Sequence, residues 1–146
     1  VSRILISPDD LKLICSHAEE IYPEECCGFL MGHAVGELTR IERILLVTNE
    51  WEDEDSRHKR YLIHPEIVFE AHKEARAMGL DVVGYYHSHP DHPARPSEFD
   101  REHAWPGLSY VIVSVQGGKV AEARSWRLSD DRDRFEEEAV EKENSK

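Results

Sequence analysis

The chain has 146 residues, enough to bury a core of its own in a single domain without disulfide support. Its formal net charge of −12 repels phosphate backbones and anionic lipid surfaces, which argues against nucleic acid and membranes as partners. No apolar run reaches the roughly 20 residues of a membrane-spanning helix, the first residues lack a signal-peptide pattern, and an odd cysteine count with Cys26 and Cys27 adjacent makes a poor disulfide framework. A soluble, cytoplasmic protein with reduced thiols is expected.

Ser7-Pro8-Asp9-Asp10 combines an N-cap hydroxyl, a proline at the first helical position and acidic residues in the first turn. It predicts a helix with Leu11, Ile14, Cys15, Ala18 and Ile21 as its buried stripe, stopped by Tyr22-Pro23. CCGFLMG at 26–32 reads as a core strand, and LTRIERILLVTN at 38–49 as a strand passing from a sheet edge into the core. WEDEDSRHKR at 51–60 mixes both charge signs without periodicity, as a mobile, solvated loop does. Pro65 starts a second helix with Ile67, Val68, Ala71, Ala75 and Met78 inward and Gly79 at its end. Residues 81–89 and 109–115 read as strands, and Gln116-Gly117-Gly118-Lys119 as the hairpin turn leading to a strand at 120–126. The acidic residues 130–146 predict a solvated terminal helix or tail beyond a domain spanning 1–129. Hairpin signals demand antiparallel pairs, so the fold class is α+β, or α/β with a mixed, largely antiparallel sheet flanked by helices.

Residues 85–100 read YYHSHPDHPARPSEFD. In a strand His87 and His89 point to the same side, so both imidazoles can aim at one point while Ser88 faces away. The prolines of 90–96 turn the chain back, and Asp100 falls in the first turn of a helix begun by Ser97. Ser97 and Asp100 also match a capping box, which explains those two residues but not the histidine pair beside them. Two histidines and a carboxylate, with a fourth position left to water, have the composition of a catalytic zinc site. Such a site needs a base, and Glu25, just before the core strand, is a carboxylate at the mouth of a central element.

The ordered set Glu25-Cys26-Cys27-Gly28, then His87-Ser88-His89-Pro90, Ser97 and Asp100, resembles the JAMM signature of the MPN (Mov34/PAD1) metalloprotease family in its compact prokaryotic form. The resemblance implies an MPN/JAB1, cytidine-deaminase-like architecture with one zinc per chain held by His87, His89 and Asp100. It implies Glu25 as general base and later proton donor, and Ser97 as the group that stabilises the tetrahedral oxyanion. Glu24 competes with Glu25, but the family pattern aligns Glu25 with the catalytic position. Cys26 is a departure, since the family usually shows one cysteine there, matching Cys27. His92 has no counterpart in the pattern, and His64 falls at a helix N-cap. Of the three tryptophans, Trp105 is the one near enough in sequence to line a substrate groove, and Trp51 and Trp126 read as packing residues.

The same resemblance implies hydrolysis of the amide bond after the C-terminal tail of a ubiquitin-like or sulfur-carrier protein ending in diglycine, releasing an amino acid or a lysine-linked protein. A non-catalytic MPN scaffold is the alternative, disfavoured because the ligand set is complete. Thiol chemistry at Cys27 is disfavoured because a thiol in an apolar strand is normally inert. A nucleic-acid-linked member of the wider fold, resembling the RadC group, is disfavoured by the acidic charge and by His-Ser-His-Pro.

Overall fold

Ser7 caps the first helix as its position predicts, its Oγ accepting a hydrogen bond from Asp10 N at 3.0 Å. The computed structural model describes residues 2–143. In chain order they form β1 (Arg3–Ile6), α1 (Pro8–Ile21), β2 (Cys27–Val35), β3 (Leu38–Val47), a short 3-10 turn (Glu54–Ser56), α2 (Pro65–Ala77), β4 (Asp81–Pro90), α3 (Glu98–His103), β5 (Ser109–Gln116), β6 (Lys119–Leu128) and β7 (Phe135–Lys142). The strands close on themselves in the order β1-β3-β2-β4-β5-β6-β7. Pairing is parallel at β1–β3, β1–β7 and β4–β5 and antiparallel elsewhere, a mixed α+β sheet. Among the described residues no helix is long and apolar enough to cross a membrane.

The unbroken apolar run at 26–32 reflects a strand covered on both faces. Cys26 and Leu30 face α1, in a cluster with Ile14, Ala18, Val83, Tyr86 and Val111. Phe29 and Met31 face α2, against Ala71 and Ala75. The same alternation in β4 buries Tyr86 on the α1 side, where its hydroxyl lies 2.8 Å from His17 Nδ1. Gly28 pairs with Tyr86, and a Cβ at that glycine would lie 2.1 Å from the tyrosine ring, so no side chain fits there. Gly79 ends α2 with a φ of 74°, and its N–H closes onto Arg76 O.

Two expectations need correction. Ile67 and Met78 do not face inward: they are 36% and 47% exposed, because α2 approaches the sheet through the small Ala71 and Ala75, with Val68 beside them. Residues 135–142 are not a helix but the strand β7, which pairs with β6 on one side and with β1 on the other. Its acidity is accommodated because Glu138, buried in the structure, accepts hydrogen bonds from Ser125 Oγ at 2.9 Å and Arg127 Nε at 3.1 Å, and Val140 packs against the main core. As a strand it pairs the edges of β1 and β6, which a helix at the same place would leave open.

Candidate metal centre

The alternation of β4 brings His87 and His89 to one side, with their Nε2 atoms 3.2 Å apart. Asp100 completes a triangle, its Oδ1 3.2 Å from His87 Nε2 and its Oδ2 3.1 Å from His89 Nε2. Among the described residues this is the group of metal-ligating side chains that meets within 4.8 Å. His89 Nδ1 lies 2.9 Å from the carbonyl oxygen of Pro93, which can only accept, so Nδ1 carries the hydrogen and the neutral ring leaves Nε2 as a bare lone pair. A bare lone pair facing a carboxylate oxygen at 3.1 Å is repulsive unless a proton or a metal cation lies between them. Ligands about 2.0–2.1 Å from a tetrahedral zinc stand roughly 3.3 Å from one another, close to the separations found here. The residues therefore fit a divalent metal on distance and on donor chemistry. Tyr61 stacks on the His87 ring at 4.8 Å and fixes its plane, while His87 Nδ1 is buried without a hydrogen-bond partner.

Asp100 is held by the start of α3. Ser97 Oγ accepts from Asp100 N at 3.0 Å, and Asp100 Oδ2 accepts from Ser97 N at 2.8 Å. Capping box and ligand geometry, which the sequence presents as alternatives, coexist in one carboxylate. Burial alone would raise the Asp100 pKa, but the two imidazoles beside it hold the carboxyl well below the usual range.

Glu25 is buried, two residues before the start of β2. Burial first, and then the negative charge of Asp100, push its pKa up to about 9, against the opposing pull of the Arg60 guanidinium. Its position follows from hydrogen bonds that the sequence does not advertise. Ser88, facing away from the metal-ligating side, accepts from Cys26 N at 2.8 Å through its hydroxyl and donates to Cys26 O from its backbone N–H. Cys27 thereby falls opposite His87. Asn49 uses its whole amide: Nδ2 donates to Glu25 O and Arg60 O, and Oδ1 accepts from the N–H groups of Trp51 and Leu62. The segment 51–60, expected to be a loose loop, is clamped there, with Glu25 N bonded to Arg57 O at 2.8 Å. Ser88, Asn49 and Tyr61 were missed in the sequence; the single available signal was a lone Asn ending an apolar strand.

His92 is not part of the cluster, and its side chain is exposed. His64 sits at the N-cap of α2 without a side-chain cap bond. Trp105 lines a cavity beside His87 and Asp100, but so does Trp51, whose ring stands edge-on to Phe99 at 5.8 Å, so Trp51 is more than a packing residue. Cys26 and Cys27 are buried free thiols, and burial pushes both pKa values up, that of Cys26 to about 12, which disfavours a thiolate nucleophile.

Residues 8–129 match the family model described as prokaryotic homologs of the JAB domain. A desampylase from Haloferax volcanii is 34% identical over 126 residues, covering 82% of this chain and 86% of that protein. A Thermus thermophilus protein named "Probable TtuB-protein conjugate cleaving protease" is 32% identical over 95 residues, covering 65% of this chain and 59% of that protein. The fold superposes on the solution structure of a Desulfitobacterium hafniense protein with a TM-score of 0.82 at 29% identity, covering 97% of this chain and 94% of that one. A match that runs from the first helix through the whole of β6, and encloses the histidine pair, the proline tether and the capped aspartate, makes this chain a member of the prokaryotic homologs of the JAB domain.

Proposed function

We propose that the protein is a zinc-dependent hydrolase, acting in the cytoplasm, that cuts the amide bond after the C-terminal tail of a ubiquitin-like or sulfur-carrier protein ending in diglycine. The observation that carries this reading is the triangle of His87 Nε2, His89 Nε2 and Asp100, with edges of 3.1–3.2 Å, beside a buried glutamate. The names of the Haloferax and Thermus relatives support the substrate class. Zinc bound by these three residues supplies Lewis acidity toward the scissile carbonyl and the attacking water.

Glu25 is the general base and later the proton donor of this reading. Without metal its pKa is pushed up to about 9, and the positive charge of a bound zinc would lower it toward the range in which it takes a proton from the attacking water and passes it to the departing nitrogen. Ser97 Oγ accepts from Asp100 N, which leaves its hydroxyl hydrogen to donate to the oxyanion of the tetrahedral intermediate. Tyr61 and the Pro93 carbonyl hold the two imidazoles in orientation.

The test is mass spectrometry of carrier conjugates incubated with zinc-loaded protein, with and without a chelator. Release of the attached group that the chelator abolishes is the expected result. Conjugates left intact across several diglycine carriers would point to a scaffold.

A further inference from the structure

Beside the ligands lies a cavity of about 260 Å³ that none of the steps above uses. Its lining is dominated by aromatic rings, Trp51, Phe99, Trp105, Tyr110 and Phe135, and it shares His87 and Asp100 with the metal centre. Phe135 comes from β7, beyond the residues 8–129 that match the family model. Its ring stands edge-on to Tyr110 at 6.1 Å and packs on the small cluster of Ala104, Tyr110 and Leu128.

Several contacts hold Phe135 there. Arg101 of α3 donates to Arg132 O at 3.0 Å, and the Arg132 guanidinium lies 5.3 Å over the Trp105 ring, so the turn between β6 and β7 is docked on the helix that carries Asp100. Tyr110 OH accepts from Trp105 N at 2.8 Å, tying the opposite wall to β5. Within β7, buried Glu138 fixes the register against β6 through Ser125 and Arg127.

We propose that this cavity binds an apolar side chain carried on the nitrogen side of the scissile bond, and that Phe135 sets the size of side chain it accepts. The proposal rests on the reading of the site as a carrier hydrolase. A diglycine tail brings no side chain to its last two positions, and the third residue back lies roughly 7 Å along an extended tail. A cavity walled by two of the ligand residues opens where the bond is cut, so its occupant belongs to the residue joined directly to that bond. Its volume admits a side chain as large as Leu or Phe, and its rings offer dispersion contacts to a hydrocarbon group. The aliphatic stem of a lysine has related chemistry, and the experiment separates the two sources.

Zinc-loaded full-length protein is given one diglycine carrier extended through an α-peptide bond by Gly, Ala, Leu or Phe, and the same carrier joined to a lysine side chain. We expect kcat/KM to rise about tenfold or more from Gly to Leu or Phe, the scale on which an apolar pocket discriminates. Phe135→Ala should shift the optimum toward larger side chains, and Phe135→Trp should lower the Phe-to-Gly ratio. Independently of turnover, phenylalaninamide should change the fluorescence of Trp51 and Trp105, the change shrinking in Trp51→Phe and Trp105→Phe, while glycinamide leaves it unaltered. Equal rates for Gly, Leu and Phe in the wild type, or a preference for the lysine conjugate over all of them, overturn the proposal. If no conjugate is cut, the hydrolase reading falls, and the fluorescence titration alone decides the cavity: no response to phenylalaninamide overturns it.

Discussion

Ser97 and Asp100 bond each other twice, and the Asp100 Oδ2 that accepts from Ser97 N also lies 3.1 Å from His89 Nε2. The bonds that start α3 therefore aim the carboxylate at the histidine pair, so local helix chemistry and ligand geometry share one side chain.

Ser97→Ala keeps the backbone N–H that orients Asp100 and removes the hydroxyl. Zinc content should stay at the wild-type level while stability falls by about 1 kcal/mol, the usual worth of an N-cap. Turnover should fall by about 10²-fold if the hydroxyl donates to the oxyanion. Denaturant titration, elemental analysis and kcat on the same preparation separate the three effects.

Wild-type protein should carry about one zinc per chain after metal-replete purification and dialysis, and His89→Ala should carry far less. The variant removes one corner of the ligand triangle and frees the Pro93 carbonyl. Equal zinc in the two proteins by elemental analysis would remove the metal assignment.

Glu25→Gln keeps size and polarity but cannot take a proton. Zinc should remain while turnover drops by roughly 10²- to 10⁴-fold. A second effect appears in metal-free protein. The folded-state pKa of Glu25, about 9, lies above its ordinary 4.5, so between these values the native state binds more protons than the unfolded one. Stability attributable to this group is present below about pH 4.5 and is lost as pH rises toward 9. In chelator, denaturation midpoints should therefore fall more steeply between about pH 5 and pH 9 for wild type than for Glu25→Gln.

Cys27→Ala tests the thiol alternative. Cys27 is fully buried opposite His87, so the variant should lose on the order of 1 kcal/mol of packing while its folded, zinc-loaded fraction keeps most activity. Loss of turnover with zinc and fold intact would shift the chemistry to the thiol.

Glu138→Ala strips a buried carboxylate from Arg127 and Ser125. Breaking a fully buried pair costs about 3–5 kcal/mol, and calorimetry should show a smaller loss here, because Arg127 is partly exposed and keeps Thr39 and Gly107 as partners. A neutral result would mean that β7 closes the sheet without this pair.

The sequence by itself determined the elements whose signals are local. Ser7-Pro8 places α1, the alternation of 81–89 puts both histidines on one side of a strand, and Ser97-x-x-Asp100 caps a helix. The spacing from His87 through Ser97 to Asp100 proposed the metal ligands, because a strand and a capped turn leave little freedom in where those three side chains go. Tertiary structure decided what depends on partners distant in the chain. The acidic stretch after 130 reads as a solvated helix until Arg127 neutralises Glu138 and β1, at the other end of the chain, offers Arg3–Ile6 as a parallel partner to 139–142. The loop at 51–60 shows no periodicity, yet Asn49 clamps it across Glu25. The aromatic cavity draws Trp51, Phe99, Trp105, Tyr110 and Phe135 from distant parts of the chain, so only the folded sheet brings them around His87 and Asp100.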